Sequence, residues 1–172
     1  MANQDQKKQG GKFQNLLKEG NRILNVAYAE IGISENPPGS NNTKYNAWFG
    51  LPGVMWCAIF VSWVYNKAGF PLGNIGFRKG FAGCQTAVSH FKKTGEIVIK
   101  PQPGDIVFFD WNNDKRYDHV GIFVKDNEDN KTFTSIEGNT SIGNDSNGGM
   151  VMERRRSYNV AIFVRPKVVD NR

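Results

Sequence analysis

The 172-residue chain is 39% hydrophobic and 22% charged, with 19 glycines and 12 phenylalanines, a profile that excludes disordered and fibrous chains and suits one packed domain. A formal net charge of +6 and an isoelectric point of about 9.4 favour polyanionic partners: nucleic acid, an anionic membrane surface or an acidic cell wall. The only two cysteines, Cys57 and Cys84, lack zinc spacing and rule out a disulfide scaffold.

Residues 1–20 are polar and basic, lack the apolar stretch of a secretory signal and read as a flexible basic tail. No later segment approaches the roughly 18 apolar residues of a membrane span, so a soluble protein without membrane insertion is expected. One domain is expected over residues 21–167, with a C-terminal tail over 168–172. Residues 21–31 space Ile23, Leu24, Ala27 and Ala29 as a helix, with Asn21 after Gly20 as its N-cap. The following stretch to Trp56 is rich in Pro, Gly and Asn and reads as a long ordered loop of the functional kind. Residues 57–68 are apolar nearly all round and stop at Gly69, which predicts a buried helix with Cys57 at its N-terminus. Residues 85–93 form a short third helix. From residue 97 the pattern changes to short β-prone runs at 97–99, 105–109, 119–124, 132–136, 150–153 and 160–165, separated by turns too short for anything but antiparallel pairing. Helices followed by a meander of strands give the α+β class.

A thiol becomes a nucleophile as its thiolate, and a helix start with a nearby histidine lowers its pKa. Cys57 meets the first condition. His119 opens the run HVGIFV, where a strand would hold its ring rigidly, whereas His90 sits in a Lys-rich helix and reads as structural. A base also needs a third group to orient it, and either Glu137 or Asn139 of SIEGN can reach the imidazole from a neighbouring strand. Cys84, also near a helix start, is the rival nucleophile; its expected role is a packed or half-exposed thiol. Asp110, Asn112 and Asp114 fall at the first, third and fifth places of a calcium-loop pattern, but Lys115 stands where glycine belongs. A structural calcium ion there is a candidate; no cofactor is required. The basic run Arg154, Arg155 and Arg156 lies between two strands and reads as a solvated edge or turn.

Taken in order, WCAIFVSW, GDIVFF, DHVGIFV and SIEGN resemble the CHAP family, the cysteine, histidine-dependent amidohydrolase/peptidases of phage endolysins and bacterial wall hydrolases. The resemblance implies a papain-like fold, N-terminal helices packed on a C-terminal antiparallel sheet. It also implies that Cys57 attacks a peptidoglycan amide, His119 moves the proton, Glu137 orients His119 and Asn139 matches a further polar position. The amide of Cys57 is then the natural oxyanion donor, with Tyr45 or Asn46 as candidates to complete the hole. Trp56, Trp111 and Tyr45 are candidate walls of the cleft, against ordinary core packing. On this reading the protein is a monomer whose partner is bacterial peptidoglycan and not nucleic acid. It reaches the wall by phage- or holin-type release or within a larger exported protein. The alternatives are a non-catalytic basic module that binds wall or nucleic acid, and a Cys-His hydrolase of a non-wall amide.

Overall fold

The computed structural model describes residues 2–129 and 131–168; Met1, Asn130 and residues 169–172, nearly all of the expected C-terminal tail, lie outside it. The stretch expected to be a flexible tail forms the first part of helix α1 (Ala2–Tyr28), so Asn21 lies inside that helix and does not cap it. Gly20 is where α1 crosses the Pro103–Gly104 turn: a Cβ there would sit 1.9 Å from the Pro103 carbonyl oxygen. The glycine that reads as a helix break is thus a point of close backbone approach. Ile23, Leu24 and Ala27 of α1 are buried on the core.

The long loop that follows holds one short helix, α2 (Lys44–Phe49), capped by Thr43, whose hydroxyl accepts from the Asn46 N–H. Helix α3 (Cys57–Lys67) is buried from Cys57 to Tyr65, as its nearly unbroken apolar sequence demands. Helix α4 (Cys84–Thr94) begins one residue earlier than expected, at the second cysteine.

Six strands follow: β1 (Ile97–Val98), β2 (Ile106–Phe109), β3 (His119–Asp126), β4 (Thr132–Thr140), β5 (Met150–Ser157) and β6 (Ala161–Val164). Together they make one antiparallel sheet in the order β1-β6-β2-β3-β4-β5. The expected meander holds for β2 to β5, but β6 returns to pair between β1 and β2. Alternation along the strands gives the sheet two apolar faces. Ile106, Phe108, Val120, Ile122, Ile136 and Val164 join the helices in the main core. Val107, Phe109, Phe123, Phe133 and Phe163 form a second cluster, against which Tyr158 and Val160 of the β5–β6 connection pack. No helix among the described residues is long and apolar enough to cross a membrane.

Candidate active site

Cys57 is the first residue of α3, where backbone N–H groups have no acceptor within the helix and the helix dipole favours negative charge. The residue before it anchors that end. The Trp56 indole donates to Glu35 Oε1 at 2.9 Å and its ring stacks on Tyr45 at 5.4 Å. Trp56 and Tyr45 are fully buried, so both are core residues; of the three candidate walls, only Trp111 reaches the surface. The oxyanion candidates are also engaged elsewhere. The Tyr45 hydroxyl donates to Glu30, and the Asn46 amide donates to the Leu51 and Val54 carbonyls.

His119 opens β3 opposite Phe109 of β2. Its fully buried ring rests on Phe109 and Trp111, at centroid distances of 5.8 and 6.2 Å. Nε2 lies 3.0 Å from Glu137 Oε2. Nδ1 has no hydrogen-bond partner of good geometry and is the nitrogen left to exchange a proton with the thiol. Cys57 and His119 do shift each other. The Cys57 thiol is held well below its ordinary value, most by a hydrogen bond from Cys84, against the opposing effect of burial and with help from His119. Burial alone would lower His119, but Cys57 and Glu137 outweigh it and raise the imidazole to about 9. Both shifts favour the thiolate–imidazolium form of the pair.

Glu137 faces Gly121 across the β3–β4 ladder, and a Cβ on Gly121 would lie 2.7 Å from Glu137 Cγ. The glycine two places after His119 is therefore the space in which the carboxylate lies. Every acceptor position on Glu137 is used. Oε1 accepts from Ser135 Oγ at 2.6 Å and Arg156 Nε at 2.8 Å; Oε2 accepts from Arg156 Nη2 at 2.6 Å and faces His119. Burial would raise this carboxyl, yet Arg156 and His119 hold it at about 2.

The linkage to stability has a defined sign. The lowered thiol and the raised imidazole act with opposite sign on the pH dependence of stability. Glu137 has no such counterpart. Its contribution is fully present above its unfolded value of 4.5 and is lost as pH falls through about 2, a loss of about 3 kcal/mol. Urea unfolding measured stepwise from pH 6 to 2 should show this loss in the wild type and a flatter dependence in Glu137→Gln.

Asn139 has a different place. Its Nδ2 donates to Asn147 Oδ1 at 3.0 Å and its Oδ1 accepts from the Gly149 N–H at 3.1 Å, so its side chain is spent on the β4–β5 connection. That connection supplies Ser146 to the Trp111 indole and Asp145 to Arg156. Asn139 thus touches the site through the loop it holds. Cys84 is buried and its thiol hydrogen-bonds Cys57, which pushes Cys84 up and Cys57 down. The rival nucleophile is a neighbour of the thiolate.

In the turn before His119, Asp110 accepts from the N–H groups of Asp114 and Lys115, while Asn112 turns its amide nitrogen to Asp114. Protein hydrogen bonds close this turn, and among the described residues no group of three or more His, Cys, Asp or Glu side chains converges as a metal site. Arg156, expected to be solvated, is buried with Glu137. Its register partner is Phe133, two same-face positions from Glu137 along β4, so no local spacing announces the contact. Gly121 did carry a signal, a glycine inside a strand beside the candidate base.

A family model of the CHAP domain matches residues 48–139, just over half of the chain. The matched stretch contains Cys57, His119, Glu137 and Asn139 and stops short of Arg156. No curated protein matches the chain.

Proposed function

The chain belongs to the CHAP family, which implies amidohydrolase or peptidase activity, and from that premise we propose that it is a peptidoglycan hydrolase cleaving an amide bond of the bacterial wall, as an N-acetylmuramoyl-L-alanine amidase or an endopeptidase. The observation that carries the reading is the Cys57 thiol at a helix start beside a buried imidazole whose far nitrogen is held by Glu137. The Cys57 thiolate adds to the amide carbonyl, and the resulting oxyanion is met by N–H groups of the first turn of α3. His119 gives its proton from Nδ1 to the leaving amine, and the C–N bond breaks to leave a thioester on Cys57. Neutral His119 then takes a proton from water, whose oxygen adds to the thioester carbon; the C–S bond breaks, Cys57 leaves as thiolate beside the reprotonated imidazole, and the product acid loses its proton to solvent. Glu137 orients His119 throughout, and Asn139 steadies the connection that flanks it.

Family membership supports peptidoglycan as the substrate class, and a cationic chain suits it. Release by a holin-type route, or export within a larger protein, would bring a monomer to the wall. The arginine run does not favour a nucleic-acid module, because Arg154, Arg155 and Arg156 are paired with Asp145, Asp129 and Glu137. The test is the turbidity of purified walls. Clearing is expected with the untreated protein and its loss after alkylation with iodoacetamide; binding without clearing, indifferent to alkylation, would favour a non-catalytic module.

A further inference from the structure

Glu137 is fully buried, and its proposed partner His119 is cationic for only part of the cycle. Once the proton has passed to the leaving amine, His119 is neutral until water is activated. Through that interval a carboxylate met only by a hydroxyl and a neutral imidazole would be an uncompensated buried charge, a state that proteins avoid by protonating the group or moving it. Arg156 is positively charged at every stage. It grips Glu137 with both Nε and Nη2, at 2.8 and 2.6 Å, the two-pronged geometry that fixes a carboxylate in its plane.

The grip is itself built. Nη1 of Arg156 donates to Asp145 Oδ1 at 2.8 Å, an acid shared with Arg154. The guanidinium lies 4.9 Å from the Trp111 ring centroid and 5.6 Å from that of Phe109, the two rings on which His119 rests. One aromatic pair therefore sets both the base and the cation.

We infer that Arg156 is a positioning residue for the reaction, keeping Glu137 ionised and aligned while His119 is neutral. This rests on the acyl-transfer reading of the site. The other charged or titratable groups around the network are Cys57 from α3 and Cys84 from α4, Asp118 from the turn before β3, Asp145 from the β4–β5 connection and Arg154 from β5. None of them hydrogen-bonds Glu137 among the described residues.

The chain has two histidines, so the imidazole proton resonances of His119 and His90 can be followed by NMR from pH 5 to 11. In the wild type the proton shared by His119 and Glu137 leaves near pH 9. In Arg156→Gln it should leave about one pH unit higher, because losing it now strands a buried carboxylate. Arg156→Lys, which restores the charge, should return most of that change. In wall hydrolysis the acid limb of kcat should move upward, since deacylation needs neutral His119, while the acid limb of kcat/KM, which reports acylation by the Cys57–His119 pair, stays put. A purely structural role would lower the folded fraction and leave the midpoint alone. A midpoint unmoved or lowered in a variant with a dispersed spectrum overturns the inference; if Arg156→Gln does not fold, Arg156→Met, an unbranched apolar side chain that likewise lacks the charge, is read in its place. A raised midpoint in a protein that releases nothing from walls would uphold the role of Arg156 and sink the wall substrate instead.

Discussion

Cys57→Ala and His119→Ala should each lower amide hydrolysis by at least about a thousandfold, and the double variant should be no slower than either single one. The reason is that the two groups act as a unit. Without the imidazole, the thiol loses an interaction that lowers its pKa and the leaving amine loses its proton donor. Without the sulfur, His119 has nothing to activate. Free energies of such a pair do not add, and the shortfall from additivity measures their coupling. Neither change should unfold the protein, because α3 stays packed through Ala58 to Tyr65. Initial rates of amine release from purified walls, with circular dichroism to confirm folding, provide the check. A double variant slower than both singles by the product of their effects would mean that the two residues serve separate steps.

Gly138→Ala should damage both stability and rate. A Cβ at Gly138 would lie 2.7 Å from Cβ and Cγ of Phe60 and 2.8 Å from the Trp56 ring. Both neighbours are fully buried, so neither can turn aside. Overpacking of this kind costs about 1–3 kcal/mol, which in a chain of this length lowers Tm by roughly 2–12 °C. The pressure falls on the first turn of α3, between the anchor Trp56 and the nucleophile Cys57, and on the residue next to Glu137. Misplacing a nucleophile by about 1 Å costs on the order of a hundredfold in rate. Thermal unfolding and kcat should therefore fall together, kcat by more than the lost folded fraction accounts for at 25 °C.

Much of this architecture is written in local pattern. The strand runs alternate between two apolar faces and are bounded by turn residues, so β2, β3 and β6 fall within a residue or two of where sequence puts them. Cys57 at the start of α3 was legible for the same reason, an apolar run with a defined stop at Gly69. Three features were not legible, each on a physical ground. Gly20 has the composition of a helix boundary, but its meaning is set by Pro103, far away in the chain. Arg156 belongs to a run in which Arg155 is exposed and Arg154 pairs with Asp145, and only the sheet's register aims Arg156 at Glu137. Cys84 is brought to Cys57 by the packing of α4, which no spacing between the two cysteines encodes. Asn139 is an intermediate case: its position beside Glu137 was plain, but its hydrogen bonds belong to the β4–β5 connection.

The most direct test of the central claim is the mass spectrum of soluble fragments released from purified peptidoglycan by the wild type and by Cys57→Ala. Cleavage of an amide by the Cys57 thiolate predicts fragments with either a freed lactyl group and a new N-terminal alanine, or a freed cross-bridge amine, present for the wild type and absent for the variant. New reducing sugar ends in place of new amines, or amine-bearing fragments that persist in Cys57→Ala, would contradict it.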